Sequence, residues 1–175
     1  NDRLKTFQGV INLASKSKPP SRSGYAVLLS IQQALSAIDR MEVRGRDSAG
    51  IQITLWNYKP ENKPAIESRL DTLYRSGAAH EVGERSTLFV IKAAAEIGEL
   101  GDNTASIREN ILKDNDLVNA LTDENIRGSV LGHTRWASVG VVSEANAHPL
   151  DSVRADGGST SLVTAVQNGD IDNYL

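Results

Sequence analysis

GSVLGHTRWASVGVVSEANAHP spans residues 128 to 149. It opens as a strand, GSVLGHTRW, and then presents His133, Arg135 and Trp136, with His148 following just before Pro149. Two of the chain's three histidines and one of its two tryptophans therefore fall here. Successive side chains of a strand point to opposite faces, so His133 and Arg135 share one face. Arginine presents a planar fork of donors that matches a carboxylate in bidentate fashion. Tryptophan adds a flat apolar wall and one N–H. Together, Arg135 and Trp136 can hold the α-carboxylate and stem of an amino acid. The same two residues also suit a surface ion pair, worth about 0–1 kcal/mol, beside a core tryptophan. His133 reads first as structural, bonded to a backbone carbonyl. His148, held by Pro149 in extended or turn geometry, either orients its loop or touches a ligand.

Working outward, SLVTAVQNG (161–169) reads as a further strand ending at Asn168-Gly169. Asn-Gly commonly makes a type I′ hairpin turn. It is also a pair in which a side-chain amide and a free Gly N–H can point at one oxygen, as an oxyanion hole requires. A Gly/Ser/Asp-rich loop occupies 151–160, and DIDNYL (170–175) resembles the first turn of a helix. Upstream, Val27, Leu28, Ile31, Leu35 and Ile38 recur at helical spacing, which predicts a helix over 24–40 with Ser23 as its N-cap. RGRDSAG (44–50) is a turn, and the alternation in IQITLW (51–56) predicts a half-buried strand. Leu4, Phe7 and Ile11 point weakly to a helix over 1–14, joined by the flexible connector SKSKPPSRSG. Residues 57–64 are loop, and AIESRLDTLYRSG (65–77) is predicted helical. STLFVIKAA is a strand or a buried helix segment, since periodicity does not separate the two. Helix signals fill 102–122, with Asp102, Asn103 and Thr104 offered as caps. The strands outnumber what a bundle tolerates, so the expected class is α+β.

Composition bounds the function. The chain has 175 residues, 39% hydrophobic and 23% charged, with net charge −3 and pI about 5.6. One domain with a real core fits that length. The acidic balance and 5% aromatic content argue against nucleic acid and anionic lipid as partners. No apolar run approaches the ~20 residues of a membrane span. With no cysteine, disulfides and thiolate metal sites are excluded within the chain. The three scattered histidines lack ligand spacing, so no metal and no cofactor is expected, and the setting reads as cytoplasmic. GELGDN (98–103) does not fit a phosphate loop and reads as a turn with a helix cap. The start at Asn1, with Met41 the single methionine, and the end at NGDIDNYL read as a piece cut at both ends, or as a processed protein.

RGRDSAG, GHTRWAS, SEANAHP and QNGDIDNY occur in this order, and together they resemble four signatures of the glutamine-hydrolysing domain of class II (N-terminal-nucleophile) amidotransferases. HTRW followed by NAHP resembles the sugar-phosphate branch more than the purine-pathway or asparagine-synthesising ones. The matches cover roughly 23–56 and 128–175. Residues 57–127 read as an insertion, in which KAAAEIGELGDNT resembles longer bacterial homologues. The resemblance implies a four-layer αββα sandwich, incomplete here at both ends. It implies that Arg135 clamps the glutamine α-carboxylate, that Trp136, Ser138 and His148 line the substrate pocket, and that Asn168 and Gly169 form the oxyanion hole. It further implies that Arg44 lies near the nucleophile. In the family that nucleophile is an N-terminal cysteine whose own α-amino group is the base. This chain has no cysteine, so it cannot run the reaction alone. Val139 stands where close relatives usually carry a histidine, and Gln167 where they carry the histidine of HNG. The implied partners are L-glutamine and a downstream sugar-phosphate isomerase domain, with a homo-oligomer left open. Two other readings are a catalytically dead amino-acid-binding module and a structural domain.

Overall fold

The structure, a computed structural model, describes residues 2–15, 18–60, 66–71, 73–95, 99–152 and 162–169. Five apolar residues at helical spacing must share one stripe. Helix α2 (Arg22–Met41) buries all five: Val27, Leu28, Ile31, Leu35 and Ile38. Its N-cap is Ser21, whose hydroxyl accepts the Gly24 N–H at 2.8 Å. Ser23, the expected cap, lies inside the helix and donates its hydroxyl to Glu124 O at 2.7 Å. Helix α1 (Asp2–Leu13) is where the sequence places it, but its buried residues are Val10 and Leu13. Leu4 and Phe7 face outward, 64% and 63% exposed.

Four antiparallel strands, β1 (Ser48–Trp56), β2 (Ala79–Glu81), β3 (Ser86–Ala93) and β4 (Arg127–Arg135), form a sheet in the order β2-β3-β1-β4. β1 starts three residues earlier than its sequence pattern suggests and absorbs the Ser-Ala-Gly of RGRDSAG. Ile53 stands between Phe89 of β3 and Val130 of β4; Ile51 stands between Ile91 and Gly132. These residues and Leu55 face the helices and join the α2 stripe in one core. β3 is buried along both faces, which is why its apolar run shows no period.

The segment 57–127 supplies β2, β3, α3 (Asp102–Lys113) and α4 (Asn115–Ala120). The helix expected over 102–122 is thus two helices. Asp114 sits between them at ψ 94°. Its carboxylate accepts the Leu117 N–H at 3.0 Å and pairs with Arg69 at 2.5 Å. The N-cap of α3 is Gly101, with no side-chain cap bond, so none of Asp102, Asn103 and Thr104 plays that part. Of the helix expected over 65–77, only Ile66 and Glu67 are helical among the described residues; turns follow, with bonds such as Arg69 N–H to Ile66 O and Tyr74 N–H to Asp71 O. Residues 65 and 72 lie outside the described residues.

The second face of the sheet carries Leu88 and Val90, packed with Tyr74, Ala78, Val82 and Leu162. Beyond them lies a two-stranded sheet of β5 (Leu150–Asp151) and β6 (Thr164–Ala165). The strand expected over 161–169 is paired only at 164–165. Most of the loop at 151–160 and all of 170–175 lie outside the described residues. The class is α+β: helices pack on one face of the main sheet, and the small sheet lies on the side of the other. No helix among the described residues is long and apolar enough to cross a membrane.

Phe89 has no exposed surface. Phe89→Ala is expected to cost about 3–5 kcal/mol in urea unfolding, against about 0.5 kcal/mol or less for Leu4→Ala. Equal costs would contradict this core assignment.

Candidate functional site

β1–β4 pairing builds the site. Ser48 pairs with Arg135, Gly50 with His133 and Gln52 with Leu131, so even-numbered residues of β1 and odd-numbered residues of β4 share the face away from the helices. On the other side of β1, Gly50 pairs with Lys92. Lys92, Gly50 and His133 form a row across that face. Glycine at the middle of the row lets another backbone come close: a Cβ on Gly50 would lie 2.3 Å from the carbonyl oxygen of His148. His148 is thereby brought over the sheet. Its ring centroid is 4.5 Å from that of His133, tilted by 46°. Its Nδ1 accepts the backbone N–H of Gln167 at 3.3 Å. The His148-Pro149 peptide is cis. Two separated strand ends, β4 at 133–135 and the segment after β6 at 167–169, are joined through His148.

Arg135 is half-buried. Its guanidinium donates to the backbone carbonyls of Val139 at 2.7 Å and Val141 at 3.5 Å, which folds the 138–141 loop around it. A carboxylate ligand would compete with these neutral acceptors through a stronger, charge-assisted bond. Trp136 is 71% exposed, a wall open to solvent rather than a core residue. Ser138 is exposed, and its N–H bonds to Trp136 O at 3.1 Å. Asn168 and Gly169 are exposed. Gly169 has φ 140°, a conformation that suits glycine. Arg44 is exposed in the short 3-10 turn at 42–44. That turn is fixed to the site nearby: Arg46 forms a parallel bridge with Arg135, and the Asp47 carboxylate accepts the Ala137 N–H at 2.7 Å.

Three buried polar atoms on this face, Ser48 Oγ, Lys92 Nζ and His133 Nδ1, have no hydrogen-bond partner among the described residues. Lys92 has no exposed surface, and its ammonium lies 5.2 Å from the centre of the Tyr74 ring. Burial pushes its pKa down to about 8, against the pull of Asp151, Glu144 and Asp71. Sequence reasoning missed Gly50, Asp47 and Lys92. The glycine inside a strand pattern was a usable signal of close backbone approach; a single lysine in an apolar run was not.

The chain is 31% identical over 140 residues to the glutamine–fructose-6-phosphate aminotransferase (isomerizing) of Nostoc sp. strain PCC 9229, covering 80% of this chain and 14% of that protein. It is 30% identical over 141 residues to the enzyme of the same name from Shouchella clausii, covering 80% of this chain and 15% of that protein. Over a shorter stretch of 55 residues it is 47% identical to the one from Bacillus anthracis. The chain is related to these aminotransferases through a glutamine amidotransferase-like domain. It spans only about a seventh of the length of the first two relatives. No family model and no solved structure matches it.

Burial, then the neighbouring charges of His133, Arg135 and Lys92, push the His148 pKa down from 6.5 to about 4. The bond from Gln167 N–H also needs Nδ1 without a proton. The folded pKa lies below the unfolded one, so the unfolded chain binds more protons between them. The stabilisation is therefore complete above about pH 6.5 and is lost as pH falls towards about 4. NMR titration should give a His148 pKa well below that of an exposed histidine, with the Gln167 amide shifting in the same transition. A value near 6.5 would contradict the placement.

Proposed function

We propose that this chain is part of a glutaminase domain that hydrolyses L-glutamine to glutamate and ammonia. In the intact polypeptide the ammonia would pass to fructose 6-phosphate, giving glucosamine 6-phosphate. One observation carries the reading: the strand end bearing Arg135 and the segment bearing Asn168-Gly169 meet at His148, whose ring lies 4.5 Å from His133 and whose Nδ1 takes the Gln167 N–H. Similarity to aminotransferases over 80% of the chain supports it.

In this reading Arg135 grips the α-carboxylate of glutamine by exchanging the Val139 carbonyl for it. Trp136 and Ser138 shape the pocket around the stem, and His148 lines it. The nucleophile is a cysteine thiolate outside these 175 residues, with its α-amino group as base. Attack on the side-chain amide makes a tetrahedral oxyanion; Asn168 and Gly169 donate to it, an arrangement in which one donor can contribute about 10²–10³ in rate. Arg44 lies beside the nucleophile. Ammonia leaves as the thioester forms, and water then releases glutamate. No cofactor is required.

In this reading the helices, the main sheet and the small sheet are part of a four-layer αββα sandwich. Residues 57–127 are an insertion that has joined the sheet. A sugar-phosphate isomerase domain of the same polypeptide is the partner, in the cytoplasm. We leave the homo-oligomer as part of this proposal.

The absence of cysteine favours a second reading, an amino-acid-binding module without catalysis. The full polypeptide separates the two. Glutamine-dependent ammonia release, with a KM for glutamine raised at least about 10-fold by Arg135→Ala, is the expected result. Calorimetric glutamine binding without ammonia release would favour the binding module, and neither signal would remove both.

A further inference from the structure

Two of the three residues expected to cap α3, Asn103 and Thr104, and its N-cap Gly101 bond towards the end of α2 and the turn after it. Gly101 N–H donates to the Glu42 carboxylate at 2.5 Å, Asn103 Nδ2 donates to the Arg46 carbonyl at 2.7 Å, and the Thr104 hydroxyl donates to the Asp39 carboxylate. All three acceptors lie between the last turn of α2 and the start of β1, the span that carries Arg44. Glu42, Asn103 and Thr104 are 1%, 2% and 3% exposed, so the bonds are made out of water, where a lost partner is costly. Asn103 Oδ1 has no partner among the described residues, so the bond its amide makes there is the donation from Nδ2. Asn103 is therefore a donor aimed at one carbonyl. On its far side the same turn holds the site, through the Arg46–Arg135 bridge and the Asp47–Ala137 bond at 2.7 Å.

We infer that Asn103 is a positioning residue for the glutamine pocket. It fixes the Arg46 carbonyl, and through the 44–47 turn it sets the register of Ala137 and the exit of Arg135 from β4. The first turn of α3, within the segment read as an insertion, thus completes the support of the site. This inference rests on the glutaminase reading for its effect on catalysis, but not for its effect on the Ala137 amide.

Asn103→Asp tests it. The side chain keeps its shape but turns an acceptor towards the Arg46 carbonyl. A carboxylate buried there is destabilising in itself, so Asn103→Ala, which adds no charge, is the companion variant, and a role confined to starting α3 predicts unchanged kinetics and unchanged Ala137 exchange in it. In the full polypeptide, Asn103→Asp and Asn103→Ala are both expected to lower kcat/KM for glutamine about 10- to 100-fold, chiefly through KM, since misplacement of about 1 Å can cost that much. Amide hydrogen exchange at Ala137 should speed up about 10-fold or more in both. Ile111→Val, a buried change on the same helix, should leave kinetics and Ala137 exchange unchanged. Wild-type protein without ammonia release would sink the glutaminase reading while Ala137 exchange still judges the positioning role. Unchanged Ala137 exchange in either variant overturns the inference, as does unchanged KM in an active enzyme.

Discussion

The carbonyl oxygen of His148 occupies the space where residue 50 would carry a side chain, and the site depends on that close approach. β1 and β4 pair so that Gly50 faces His133 and Ser48 faces Arg135. Only with glycine at 50 can the loop after Trp136 return over the sheet and lay His148 against His133. From there Gln167 N–H reaches the imidazole, and the Asn168-Gly169 pair is drawn towards the strand that bears Arg135. A chain with the same motifs but any side chain at 50 would have its two halves pushed apart.

Lys92 is the counterpart of that constraint. It flanks Gly50 on the other side, without exposed surface and with burial lowering its pKa. A buried amine without a hydrogen-bond partner opposes folding, and the Tyr74 ring with the carboxylates of Asp151, Glu144 and Asp71 moderates the cost. The face of the sheet turned to the site thus sets Ser48 Oγ, Lys92 Nζ and His133 Nδ1, unpartnered among the described residues, beside the apolar cluster of Leu88, Val90 and Tyr74, while the face turned to the helices is a core of Ile51, Ile53, Leu55, Phe89 and Ile91.

Much of this was legible in the sequence. The α2 stripe was read residue by residue, because five apolar residues at 3.6 spacing admit few alternatives. The strands β1 and β4, and the shared face of His133 and Arg135, followed from period-2 reasoning. The errors have physical causes. Ser21 and Ser23 are equally good caps by type, and only the Gly24 N–H distinguishes them. A single aspartate, Asp114, splits the predicted helix because it caps α4 while Arg69 holds it. The helix expected at 65–77 had the right periodicity, but its apolar residues are divided: Ile66 joins the main core and Tyr74 the cluster on the opposite face. The convergence of residues 133, 148 and 167 is long-range, and no local pattern encodes it; the ordered motifs pointed to it only through resemblance.

In the proposed function, the β4 strand end and the segment after β6 form one pocket for an amino acid. Amide NMR of the chain titrated with L-glutamine tests it most directly. Arg135, Trp136 and Ser138 are expected to shift together with Gln167, Asn168 and Gly169, along one binding curve. Shifts confined to one of the two groups, or absent from both at saturating glutamine, would contradict it.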